Sequence, residues 1–304
     1  MARPPALTPE SVLRRIEWRV IRRLDGRLQG DYRTLFRGSG IDVADLREYA
    51  PGDDLRHIDW NVTARMDTPY VREYLEDREV TAWLLLDRSP SMGFGPVERQ
   101  KHLVLTEVAA TVAQLLARGG NRVGAVLFDR AVEETIPPGH GRTQVLRIIS
   151  RLMTPPEGAR TGPRGGGQVT DLAVPLRAVL GIARRRSLIV IVSDFLTEPG
   201  WERPLAQLAR RHDVVAVQVL DRREFDLPAV GMIYVEDAET GEQIFVDTGD
   251  PAFQARLRAA ADQRRAALVA GVRRAGTDLF TVATDEDLVR ALARISALRT
   301  RRRR

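Results

Sequence analysis

The chain contains no cysteine. Disulfides, zinc thiolate sites and cysteine nucleophiles are therefore excluded, and a reducing compartment fits the absence. Lysine is almost missing too: Lys101 is the single one, so nearly all of the positive charge is arginine. The four histidines, His57, His102, His140 and His212, show no His-x-x-x-His pair of a helical metal site. No stretch approaches the ~20 apolar residues that span a bilayer. The start, Met1-Ala2-Arg3-Pro4-Pro5-Ala6, lacks the apolar core of a secretory signal. A cytoplasmic protein without a transmembrane segment is the expectation.

What is present suffices for a sizeable core. The 304 residues are 43% hydrophobic and 29% charged, which suits one large α/β domain with extensions. The formal net charge is +6, a balance that can mark a nucleic-acid or membrane surface. Here the arginines are dispersed, and the one dense cluster is the tail, residues 299–304. A terminal charge run reads as a solvated end, and no specific nucleic-acid partner is expected.

Two regions differ in texture. Residues 1–78 hold one amphipathic helix and then a loop-rich, charged stretch. Val12, Ile16, Val20 and Leu24 recur at helical spacing, Thr8 is the predicted N-cap, and the helix is expected over residues 9–28. Residues 79–304 alternate apolar runs with helical stretches. The runs 82–86, 123–128, 188–193, 214–220 and 279–282 are continuous, as in strands buried on both faces of a parallel sheet. Helices are expected near 98–118, 171–185, 201–211, 251–275 and 285–298. This alternation predicts a doubly wound, mostly parallel α/β fold. Residues 131–136 follow the second strand too closely for a crossover and read as an antiparallel edge strand. A hairpin is expected within 232–247 around Glu239-Thr240-Gly241-Glu242. The Gly- and Arg-rich stretch 158–167 reads as a loop.

Ligands of open α/β sheets bind beyond the carboxyl ends of the strands. Three features should meet there: Asp87-Arg88-Ser89-Pro90-Ser91 after the first apolar run, Thr170 in a loop before a helix, and Asp194 after run 188–193. Asp87, Ser89, Ser91, Thr170 and Asp194 all offer oxygen, the ligand that hard cations such as Mg²⁺ prefer. Three neutral hydroxyls and two carboxylates leave such an ion under-neutralised when the carboxylates bind only through water, with a position for an incoming carboxylate. That is a binding device rather than an acid–base machine. Strand-terminal Asp, Ser and Thr are also common helix N-caps. That plainer reading is taken for Asp129, Asp221 and Asp285.

Asp87-x-Ser89-x-Ser91, Thr170 and Asp194 resemble the metal-ion-dependent adhesion site of von Willebrand factor A domains. The resemblance spans roughly residues 80–220 and implies those five residues as ligands of Mg²⁺, with Mn²⁺ and Ca²⁺ as alternatives. Upstream, Leu46-Arg47-Glu48-Tyr49-x-Pro51-Gly52-Asp53-Asp54-x-Arg56-x-Ile58-Asp59-Trp60, then Ala64-Arg65, closely resembles the bacterial family known as domain of unknown function 58. That resemblance implies an adaptor or chaperone-like partner of a MoxR-type AAA+ ATPase. Many members carry N-terminal transmembrane helices, which this sequence does not show. The signature itself reads as interleaved acids and arginines (Asp53, Asp54, Asp59 among Arg47, Arg56, Arg65) forming salt bridges that fix the loop onto the α/β domain. Tyr49 and Trp60 would anchor it by burial. The alternative for these residues is a partner-docking surface.

Enzyme readings fare less well. Gly162-Pro163-Arg164-Gly165-Gly166-Gly167 lacks the Gly-Lys-Ser/Thr ending of a phosphate loop. An aspartyl phosphoryl-transfer site would place a second Asp two residues after the first, where Ser89 stands. A metal-dependent phosphoesterase or other hydrolase using Asp87 and Asp194 is the competing hypothesis. The sequence favours a non-enzymatic module that captures a partner's acidic group through a metal.

Overall fold

The computed structural model describes residues 8–21, 46–51, 53, 55, 58–66, 68–72, 79–96, 99–154, 169–236 and 241–303. The chain divides into two compact units, residues 37–80 and the remainder. The predicted loop 158–167 and the signature residues Asp54 and Arg56 lie outside the described residues.

The larger unit begins with α1 (Pro9–Ile16), which opens on a capping box between Thr8 and Ser11. The sequence predicts a helix to residue 28. Instead, α-geometry gives way to a π turn at Glu17–Ile21, and residues 22–30 lie outside the described set. Six strands then build the sheet: β3 (Thr81–Asp87), β4 (Arg122–Phe128), β5 (Val132–Gly139), β6 (Leu188–Ser193), β7 (Asp213–Leu220) and β10 (Asp278–Ala283). The spatial order is β10-β7-β6-β3-β4-β5. All neighbours are parallel except β4 and β5, which pair antiparallel. This is the predicted doubly wound sheet with one antiparallel edge strand. Every predicted strand forms, and the edge strand extends to Gly139 rather than ending at residue 136.

Helices cover both faces. On one side α3 (Lys101–Arg118) lies against β3, β4, β6 and β7, with α1 and α4 (Gly141–Met153) packed on it. Most of α3 is buried around its circumference, as expected of a helix sandwiched between other elements. Arg15 and Arg99 both pair with Glu107 on α3, and Glu17 accepts from Gln114 at 2.9 Å and from Arg142 at 2.7 Å. On the other side α5 (Ala173–Ile182), α6 (Glu202–Arg211) and α7 (Pro251–Arg274) enclose a core of Trp83, Leu85, Ile189, Ile191, Leu176 and Leu205. A last helix, α8 (Leu288–Arg303), contacts β10 and runs past the predicted end at 298 into the basic tail.

Helix α4 has no counterpart in the sequence-based reading. Its buried face is carried by Gln144, Val145, Ile148 and Ile149, set among three arginines. Buried Gln144 donates from Nε2 to the carbonyls of Val123 and Pro137, both at 2.8 Å, and so stitches α4 to the β4–β5 ladder where its register shifts. Gln144→Leu keeps the volume and removes both bonds. It should cost about 1–3 kcal/mol in urea unfolding, the usual penalty for buried polar groups left unpaired. An unchanged midpoint would mean that water replaces the amide.

The hairpin of β8 (Met232–Glu236) and β9 (Gln243–Asp247) forms as predicted, with Tyr234 opposite Phe245. No helix among the described residues is long and apolar enough to cross a membrane.

The smaller unit holds an antiparallel pair, β1 (Leu46–Glu48) with β2 (Tyr70–Arg72), and α2 (Trp60–Met66). Its acidic residues organise turns. Asp53 accepts from the Ala50 amide at 2.8 Å, and buried Asp59 accepts from the Val62 amide at 3.2 Å, over the first turn of α2. Trp60 corrects the sequence-based expectation: it is 69% exposed and is no buried anchor. It is the first residue of α2. Arg65, in the last turn of α2, is exposed as well.

Candidate metal centre

The strand order fixes where a ligand should sit. The chain leaves β3 toward β4 and β5, then returns to β6 on the other side of β3. The order therefore reverses between β3 and β6, and ligands of open α/β sheets bind at such a switch point. Asp87 ends β3 and Asp194 directly follows β6.

Each predicted residue has a defined place. Asp87 is 1% exposed, and its Oδ1 accepts the Ser89 amide at 2.9 Å. Its Oδ2 accepts the Ser193 hydroxyl, whose own oxygen accepts the Phe195 amide at 2.9 Å. These bonds curl the Asp87–Ser91 turn so that the buried Ser89 and Ser91 hydroxyls lie 3.0 Å apart. Pro90 starts a 3₁₀ turn, Pro90–Gly93, that sets Ser91 back toward Ser89. Asp194 is also buried, with Oδ1 on the Leu196 amide at 2.9 Å. Phe195 adopts φ 61°, a left-handed conformation that costs a bulky residue about 1 kcal/mol or more. Edge-on contact with Trp201 at 6.2 Å holds it there.

Thr170 belongs to the same end of the sheet. Its carbonyl accepts from the Thr197 hydroxyl and the Glu198 amide, each at 2.9 Å, which pins it to the loop after β6. Its hydroxyl reaches Asp129 Oδ1 at 3.4 Å. Asp129 follows β4, beside β3, and the Arg88 amide donates to the Phe128 carbonyl at 2.7 Å. The loops after β3, β4 and β6 and the segment before α5 are thus knitted together.

Asp129 and Asp285 depart from the cap reading. Asp129 is buried, no helix follows it, and its side chain faces Thr170. Asp285 pairs with Arg222 at 3.1 Å, three residues ahead of α8. Asp221 does cap the short 3₁₀ turn Arg222–Glu224.

Three further residues enter the site unannounced. Ser193 bridges β6 to Asp87. Lys101, the sole lysine, is wholly buried, with Nζ 2.7 Å from Asp194 Oδ2 and hydrogen-bonded to Glu224. The signal for Lys101 was its place among the apolar residues that open α3. Nothing local marked Glu224, 123 residues away.

The electrostatics follow from burial. Asp87 is pushed up to about 7, first because burial disfavours its charge and second because Asp194 is close; its bonds to Ser193 and Ser89 act the other way. Burial pulls Lys101 down, but Asp194 and Glu224 outweigh it and the net shift is upward. Glu224 is raised, chiefly by burial.

These groups fit a hard divalent cation. Adjacent ligands of an octahedral ion with ~2.1 Å bonds lie about 3.0 Å apart, and the two serine oxygens stand at that separation. All available donors are oxygens. A cation would also relieve the cost of burying Asp87 beside Asp194.

Residues 45–267 match the family described as "Protein of unknown function DUF58". The chain belongs to this family. An uncharacterized protein of Mycobacterium tuberculosis, Rv1480, is 38% identical to it over 291 residues, covering 96% of this chain and 90% of the relative. Among solved structures, BatB from Bacteroides thetaiotaomicron is 14% identical with a TM-score of 0.44, over 74% of this chain and 100% of that one. The SpRpn10 VWA domain is 12% identical with a TM-score of 0.39, over 71% and 94%. Within the family match fall both the residue 46–65 signature and all five candidate ligands.

Proposed function

We propose that this DUF58 protein is a non-enzymatic, metal-dependent protein-binding module. It captures a partner's carboxylate at the β3–β6 switch point, and works as an adaptor beside a MoxR-type AAA+ ATPase. The observation that carries this reading is the buried Ser89–Ser91 oxygen pair, 3.0 Å apart in the turn that Asp87 organises. Mg²⁺ suits it, since that ion holds few protein ligands and keeps waters that an incoming anion can replace. Ser89 and Ser91 would bind the ion. Asp87, whose two oxygens already orient Ser89 and Ser193, would act mainly by holding that turn and supplying charge. Thr170 and Asp194 would complete the shell directly or through water.

When bound, the ion supplies an electrophilic centre for a carboxylate. With Asp87 and Asp194 acting through water, the inner shell holds only neutral oxygens, and an Asp or Glu from a partner would supply the carboxylate it lacks. Hydrolysis would need a group to activate water. Among the five candidate ligands there is no histidine, and both aspartates are engaged in orienting the loops.

The test is affinity capture from an extract of the protein's own cells. Wild type should retain a partner in Mg²⁺ and release it in chelator, and Ser89→Ala/Ser91→Ala should retain about tenfold less or none. Retention unaffected by chelator and by the double substitution would overturn the reading. Metal-dependent turnover of a phosphoester by the purified chain, lost in Asp87→Ala, would install the hydrolase in its place.

A further inference from the structure

Lys101 is an unusual residue in this chain. Of 47 lysine and arginine residues it is the only lysine, and it is 0% exposed. It is the first residue of α3, where the helix dipole disfavours a cation. Burial of an ammonium is costly as well. Both costs are met by Asp194 Oδ2 at 2.7 Å and by Glu224, and the Phe94 ring lies 5.9 Å from Nζ. Lysine brings a compact ammonium with three donors, where arginine would bring a planar fork.

The partner matters more than the burial. Asp194 is one of the two candidate carboxylates of the metal centre, and both its oxygens are engaged, Oδ1 by the Leu196 amide and Oδ2 by Lys101. A divalent ion drawing on Asp194 must share that carboxylate with the ammonium.

We infer that Lys101 is the internal counter-cation of the metal centre: its ammonium holds Asp194 when no divalent ion is bound and lowers the affinity for one by sharing that carboxylate. The inference rests on the metal reading above. It gives Lys101 a positioning role and makes Glu224 its counterweight. With Glu224 charged, the ammonium is divided between two acids and Asp194 stays partly available. With Glu224 neutral, the ammonium bears on Asp194 alone. The two residues should therefore act on metal affinity in opposite directions.

The experiment is a Mn²⁺ titration of the full chain, followed by the spin-resonance signal of free Mn²⁺, on wild type, Lys101→Met and Glu224→Gln. Circular dichroism checks each fold. Removing one buried unit charge near the ion should tighten Mn²⁺ binding roughly tenfold or more in Lys101→Met, and Glu224→Gln should weaken it by a similar factor. A merely structural lysine would weaken binding in both, through lost order. If wild type binds Mn²⁺ and folded Lys101→Met binds it equally or more weakly, the counter-cation is overturned while the metal reading stands. Should Lys101→Met fail to fold, Lys101→Gln, neutral and still able to donate to both acids, takes its place: tighter Mn²⁺ binding than wild type supports the inference, and equal or weaker binding overturns it. If only Lys101→Met binds Mn²⁺, the ammonium holds Asp194 outright, in support. If neither binds, the metal reading fails and takes the inference with it.

Discussion

Asp87→Ala should weaken Mg²⁺ binding about 100-fold, the upper range for losing a group that orients metal ligands, and should abolish metal-dependent partner capture. The fold should survive. Asp87 is carried in the folded chain at a cost, since burial and Asp194 both oppose its charge. Removing it relieves that opposition while leaving the Ser193 hydroxyl and the Ser89 amide without their acceptor. The two effects oppose one another, each of order 1–3 kcal/mol. The thermal midpoint in chelator should therefore move by only a few degrees, while the stabilisation that wild type gains from Mg²⁺ disappears. Thermal melts of both proteins with and without Mg²⁺ read both quantities. An Asp87→Ala protein that still gains full stability from Mg²⁺ would remove Asp87 from the centre.

The second large effect concerns the scaffold. Leu85 is 0% exposed on β3, flanked by β4 and β6, and packs with Trp83, Ile189 and Ile191 under α5 and α6. Leu85→Ala should cost about 2–5 kcal/mol, the transfer loss plus the cavity left behind. Leu85 lies two residues from Asp87 but points to a helix-covered face rather than beyond the strand end. Denaturant unfolding should show the full loss, while the folded protein keeps its metal affinity within a few-fold. A comparable loss of metal affinity would show that the centre depends on fine packing beneath it rather than on the loop hydrogen bonds.

The fold was readable because its strands are continuous apolar runs. Residues 188–193 contain no polar residue before Ser193, and a strand of that kind has only one environment, the middle of a two-sided sheet. Asp87 and Asp194 were readable for the same reason, as polar residues at which such runs stop. Reading failed where long-range partners decide. Helix α4 has a narrow apolar face interrupted by arginines, and the Pro137-Pro138-Gly139 end of β5 gave no conventional cap: the side chain of His140, which precedes the helix, makes no capping bond. Asp129 looked like every other strand-terminal cap until the fold brought Thr170 to it from 41 residues away. Trp60 looked like an anchor because large aromatics usually are, yet it is exposed. The Lys101–Asp194–Glu224 cluster joins residues far apart in sequence, and no local pattern could have announced it.

The central claim is that one divalent ion is held at the turn after β3. It is tested most directly by Mn²⁺ stoichiometry in equilibrium dialysis. Wild type should take up one ion per chain, and Ser89→Ala/Ser91→Ala, folded by circular dichroism, should take up none at the same free concentration. Equal uptake by the two proteins, or none by wild type up to millimolar Mn²⁺, would contradict it.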